Sequence, residues 1–186
     1  MKPGRVSASC GSKFRLLLAT IAIMMLAGCA TNPPWPAIAE GETTADTPGR
    51  WIWAELFTSD VAEAKAFYGS VFGWQFETRG TREKPYILIR NQGHPVAGML
   101  RHPAADGDAL RSRWVGLVSA GDVDAASDKA RNAGASILLE PVDLPGRGRV
   151  ALVEDPEGAR FGLLASGSGD PPDVMPDEGS WLWHEL

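Results

Sequence analysis

The chain has 186 residues, 44% of them hydrophobic and 22% charged, with a formal net charge of −5. That length bounds the fold to one or two small domains, and the apolar content excludes a disordered or collagen-like chain. Basic residues number 18 against 23 acidic ones and lie scattered, so nucleic acid is not an expected partner.

The charge is unevenly divided. The first 28 residues hold Lys2, Arg5, Lys13 and Arg15 and no acid, which leaves 14 basic and 23 acidic residues in the remainder. Behind this basic flank, residues 16–27, LLLATIAIMMLA, form an apolar run. It is shorter than the roughly 20 residues a spanning helix needs, but it suits a secretory signal. The following Leu26-Ala27-Gly28-Cys29 resembles a bacterial lipobox. The resemblance implies a signal over residues 1–28, cleavage before Cys29, and a lipid on its sulfur that anchors the chain to a membrane of the cell envelope. Ala30, where an aspartate would favour the inner membrane, points to the periplasmic side of the outer membrane. With Cys10 removed and Cys29 lipidated, neither of the two cysteines is left for a disulfide. Residues 29–50, with four prolines and no periodicity, read as an extended tether.

The folded part begins with WIWAELFT, where period-two alternation places Ile52, Ala54 and Leu56 on one face and Trp51, Trp53, Glu55 and Phe57 on the other. Asp60 with Glu63 three residues on is a capping-box pattern, Val61, Ala64, Tyr68 and Val71 form a core-facing stripe, and Gly73 ends the helix. Strands follow at 74–78, 86–90 and 96–101. The same order then recurs. A strand at 114–119 leads to a helix capped by Asp122 with Val123, Ala126, Ala130 and Ala133 as its stripe, and Gly134 closes it. Three strands follow at 136–141, 149–154 and 160–165, the last two joined by the turn Asp155-Pro156-Glu157-Gly158. Shifting the first stripe by 62 positions lands on the second, as expected of two units sharing one core. A second repeat is closer in sequence: Gly49 to Leu56 matches Gly179 to Leu186, GRWIWAEL against GSWLWHEL, at an offset of 130. Residues 167–186 therefore read as a linker followed by the first strand of an incomplete repeat.

The paired β-α-β-β-β modules, the segments SDVAEAKAFYGSVFGW and GDVDAASDKARNAGA, and the closing DPEGARFGLL resemble the vicinal oxygen chelate superfamily, the group of glyoxalases, bleomycin-resistance proteins and extradiol dioxygenases. The likeness covers residues 51–166 and is closest to tandem members whose domains open with a W-x-W-x-E-L strand. It implies an α+β fold in which two βαβββ modules form one domain around a central cavity, often as a homodimer. Enzymes of the superfamily place a metal ligand on the first and last strand of each module. The matching positions here are Trp53, Val115, Gly162 and the stretch Val96 to Leu100, and none offers the side-chain donors that a divalent cation needs. His94, His102 and His184 are dispersed and read as loop residues. No metal and no other cofactor is expected.

A cavity in this position draws Trp53, Phe57, Met99, Val115 and Arg160 as ligand-binding candidates, with Glu55 as a possible acid or base. Glu55 has two readings: a catalytic carboxylate, or one half of a structural Glu-Arg pair whose partner is Arg160, Arg90 or Arg113. The GRGR stretch around Arg147 reads as a hairpin turn. Three functions follow: a lipid-anchored, metal-free protein that binds a small organic molecule; a lyase, isomerase or oxygenase-like enzyme using Glu55 as general base; or an envelope interaction protein recruiting another chain through the terminal W-x-W-x-E-L segment.

Overall fold

A computed structural model describes residues 35–40, 46–102, 112–173 and 175–182. The signal run, Cys29, His184 and the last four residues lie outside the described residues. Among the described residues, no helix is long and apolar enough to cross a membrane.

The elements follow the expected order twice. The first module comprises β1 (Trp51–Thr58), α1 (Val61–Phe72), β2 (Gln75–Gly80), β3 (Pro85–Asn91) and β4 (His94–Arg101). The second comprises β5 (Arg113–Ser119), α2 (Val123–Asn132), β6 (Ser136–Leu144), β7 (Gly148–Glu154) and β8 (Arg160–Ser166). All eight strands join in one sheet, ordered β2-β3-β4-β1-β5-β8-β7-β6. The modules meet where β1 pairs antiparallel with β5, and in each module the first strand pairs parallel with the last.

Local chemistry explains the helix positions. Asp60 and Asp122 are extended N-caps whose carboxylates accept the N–H of Glu63 and Ala125, both at 2.9 Å. The capping box at α1 is only half formed, because the Asp60 N–H donates to Thr58 Oγ1. The apolar stripes hold over their first three positions. Val61, Ala64 and Tyr68 pack under α1, and Val123, Ala126 and Ala130 pack under α2. The fourth positions do not: Val71 is 53% exposed, and Ala133, the C-cap of α2, is also exposed.

Each face of the sheet has its own core. Under α1 lie Ala54, Leu56, Ile87, Ile89, Ala97 and Met99, and under α2 lie Ala151, Val153 and Leu163. The face away from the helices carries Ile52, Trp53, Tyr86, Leu88, Leu117, Val150 and Leu164. A register shift between Trp51 and Trp53 breaks the expected alternation of β1: Ile52 joins the helix-free face beside Trp53, and the Trp51 ring lies over Gly116.

Both chain segments expected to be loose are packed where they are described. Ile38 is 2% exposed within the helix-free core, and Trp35 packs beside it, so the proline-rich segment is not a free tether at residues 35–40. Asp170 is buried, and its Oδ2 accepts the N–H and hydroxyl of Thr47 and the hydroxyl of Ser119. Trp181 donates its indole N–H to Val96 O at 3.0 Å and packs edge-on against Trp114, with ring centroids 4.9 Å apart. Residues 181–182 carry no strand, although they lie within the repeated motif. The aromatic cluster of Trp74 and Trp114 holds Trp181 at the helix side instead.

Candidate functional site

The helix-free face is where the candidate residues can meet. In the sheet register Glu55 lies beside Gly98 on one side and Val115 on the other, and Phe57 lies beside Leu100 and Arg113. Trp53, Glu55, Phe57 and Val115 therefore share this face, as expected from alternation. Met99 does not. It lies in register with Ile87 and Leu56, is 0% exposed, and packs beneath α1, because β4 turns its odd positions toward the helix. Met99 is a core residue and not a cavity wall.

Glu55 is buried, and every donor it accepts is supplied by the chain itself. Arg147 Nη1 stands 2.8 Å from Oε1, Trp53 Nε1 at 3.0 Å, and the Tyr86 hydroxyl at 3.0 Å. Arg147 is also buried and is satisfied in turn. Its Nη2 donates to Tyr86 Oη at 2.7 Å, its Nε donates to Pro36 O at 2.8 Å, and its guanidinium lies over the rings of Trp53 and Tyr86. Burial pushes the Glu55 carboxyl above its ordinary value, against the pull of Arg147, Tyr86 and Trp53. Burial, reinforced by the charge of Glu55, likewise raises the Tyr86 phenol, which keeps its proton as a donor.

The partner of Glu55 is thus none of the three arginines that the sequence suggested. Arg160 is exposed and bound to Glu154 at 2.5 Å, and Arg90 is held by Glu77 and Glu40. Arg147 reaches in from the β6–β7 hairpin, between Gly146 and Gly148, whose φ angles are 87° and 121°. At Gly148 a Cβ would collide with Ala165 O, so only glycine lets this hairpin close and aim the arginine inward. The GRGR spelling is the one trace of this in the sequence. Tyr86 and Trp35 were missed as well, since a tyrosine in an apolar strand and a tryptophan in a proline-rich run give no periodic signal.

A divalent cation does not fit at the metal positions that the resemblance implies. The Trp53 indole donates and cannot coordinate, Val115 is apolar, and Leu117 fills the space over Gly162. The space over Gly98 is filled by Tyr86 Oη and Glu55 Oε2. The oxygens near these positions, those of Glu55 and Tyr86, both already accept from the Arg147 guanidinium, whose charge repels a metal ion. Among the described residues, no three His, Cys, Asp or Glu side chains converge.

Open space on this face lies off centre. Ile38 and Arg147 fill the middle, while a pocket of about 610 Å³ opens beside Tyr86, lined by Trp35, Pro85 and Leu100 and rimmed by Arg82, Glu83, Lys84 and Arg101. The Trp35 and Tyr86 rings stand 5.3 Å apart at 60°.

Residues 50–163 match the model of the Glyoxalase/Bleomycin resistance protein/Dioxygenase superfamily. The chain belongs to this superfamily. Among curated proteins it is 30% identical over 158 residues to the anthracycline biosynthesis protein DauV of Streptomyces sp. (strain C5), covering 77% of this chain and 56% of that protein. It is 28% identical over 136 residues to CFP32 of Mycobacterium bovis, covering 72% and 52%. The chain spans about half the length of the curated relatives it matches. Among solved structures, a triple mutant of 4-hydroxymandelate synthase from Streptomyces coelicolor aligns with a TM-score of 0.48 at 19% identity, over 67% of this chain and 41% of that one. The mixed α+β fold, with eight strands and two helices, is that of the superfamily.

Proposed function

We propose that this superfamily member is a binding protein that holds a small organic molecule against the helix-free face of its sheet without a divalent metal. The observation that carries this reading is the juxtaposition of a self-satisfied Glu55–Arg147–Tyr86 network, whose oxygens already accept from Arg147, with an apolar pocket beside it. Its volume of about 610 Å³ suits a drug-sized ligand. Kinship with a protein named for anthracycline biosynthesis supports a small-molecule ligand. The lipobox-like Leu26 to Cys29 supports attachment of the chain to an envelope membrane through lipid on Cys29. Use of Glu55 as general base is the weaker reading, because the carboxylate is sealed and its donors are all internal.

Titrating the purified full chain with a panel of aromatic molecules while following tryptophan fluorescence tests the binding. A saturable change that Trp35→Phe abolishes is expected. A panel with no saturable binder overturns the reading, and tight stoichiometric binding of zinc or manganese overturns its metal-free part. Labelled palmitate incorporated by the wild type and not by Cys29→Ser is the result expected for the anchor.

A further inference from the structure

The pocket rimmed by Arg82, Lys84 and Arg101 carries a charge that the rest of the molecule does not explain. Of the eight other described arginines, seven, Arg50, Arg79, Arg90, Arg131, Arg147, Arg149 and Arg160, are each bound to a carboxylate, and Arg113 on β5 is not. Among the described residues, no carboxylate pairs with Arg82, Lys84 or Arg101, although the whole chain carries an acidic excess. The one acid on the rim, Glu83, makes no ion pair among them either. Three cations against one anion therefore surround an apolar pocket whose inner wall is the Trp35 indole, the Tyr86 ring and Leu100.

The wall and the rim make different demands on a ligand. Tyr86 is 1% exposed and its hydroxyl is committed to Glu55 and Arg147, so it backs the wall from within, and the surface open to a ligand is that of the half-buried Trp35 and Leu100. The Trp35 indole, held in place by Tyr86 beneath it, suits a flat, unsaturated body. The rim offers guanidinium and ammonium donors on exposed side chains, which suits one anionic group at the end of that body. We infer that the pocket beside Tyr86 takes a planar aromatic anion, with its ring system against Trp35 and Leu100 and its carboxylate or sulfonate held among Arg82, Lys84 and Arg101. This ligand class rests on the proposed binding function and narrows it. An anionic lipid surface would use the same cations but not the recessed aromatic wall, which is why a small ligand is favoured.

Two fluorescent probes that share a ring system separate these demands: anilinonaphthalene sulfonate, which is anionic, and phenylnaphthylamine, which is neutral. With the natively folded full chain, the sulfonate is expected to bind at one site about tenfold or more tightly than the neutral probe, the advantage expected of charge-assisted hydrogen bonds. The triple variant Arg82→Gln, Lys84→Gln, Arg101→Gln changes exposed side chains only, and is expected to remove that advantage while leaving the neutral probe's affinity unchanged. Trp35→Ala is expected to weaken both probes. Equal binding of both probes by the wild type, undisturbed by the triple variant, overturns the anionic class and leaves the pocket standing. Binding of neither probe overturns the pocket itself, and the proposed function with it. A triple variant that loses binding to phosphatidylglycerol vesicles but keeps the sulfonate probe's affinity overturns the inference in favour of a lipid surface.

Discussion

Glu55 and Arg147 form a buried ion pair, and such a pair is informative for what happens when one half is lost. Removing one partner leaves an uncompensated buried charge and costs about 3–5 kcal/mol, whereas replacing both with apolar groups of similar size is close to neutral. Arg147→Met is therefore expected to lower unfolding free energy by about 3–5 kcal/mol, and Glu55→Leu with Arg147→Met to recover most of that loss. Denaturant unfolding of both variants and of Glu55→Leu completes the cycle, and losses that simply add would show that the two residues do not act as a pair. A neighbouring test concerns Gly98, where a Cβ would collide with Tyr86 Oη and Glu55 Oε2. Gly98→Ala is expected to cost about 1–3 kcal/mol by forcing this network apart, which thermal unfolding would register. The sequence made the need for a Glu55 partner legible, because a carboxylate among aromatics has to be paired. It did not make the partner legible. Arg147 is 92 residues away in the chain, and nothing in local pattern connects a hairpin tip to a strand in the other module.

At the scale of elements, legibility tracks periodicity. The eight strands and two helices were readable because alternation and the three-four stripe repeat at an offset of 62, and because Asp60 and Asp122 mark both helix starts. Asp122→Ala is expected to destabilise the protein by about 1 kcal/mol, through loss of the bond from the Ala125 N–H, while Asp122→Asn should retain most of it. Thermal melts of the two variants check this, and equal losses would argue against capping as the cause. What was not readable falls where periodicity is absent. Residues 35–40 have no repeating pattern, yet Ile38 enters the core with Trp35 beside it, and the bonds from Arg147 to Pro36 O and from Arg90 to Glu40 hold the segment there. Likewise Trp181 sits in a copy of the β1 motif but meets no open strand edge beside β1, which is already paired on both sides by β4 and β5. Its indole packs into the nearest aromatic cluster.

Across the whole molecule, the described segments outside the sheet are tied to it and to each other. Asp170 is the main knot, joining the segment after β8 to Thr47 and to Ser119 of β5. Burial acts to raise this carboxyl, but the hydrogen bonds from Ser119 and Thr47 outweigh it and hold it below its ordinary value. A group lowered in the folded state lends stability at pH values above its unfolded pKa, and that stability is lost as pH falls through the folded value. Asp170→Asn is therefore expected to lose stability relative to wild type at neutral pH, with the gap closing as pH falls below about 4. Unfolding midpoints measured across that range check it, and a gap independent of pH would rule out the charge of Asp170 as its source.

The same ties set the order in which the chain can fold. Arg147 to Pro36 spans 111 residues, Asp170 to Thr47 spans 123, and the bond from the Trp74 indole to Gly179 O spans 105. Contacts of such separation come late, since a long loop has to close before they form. During synthesis the first module can assemble its strands while Trp35 and Ile38 still lack the hairpin that holds Arg147. The wall made by Trp35 and Tyr86 is thus completed only after the second module has emerged, and a nascent chain stopped short of residue 147 lacks the guanidinium that ties Pro36 and Tyr86 together.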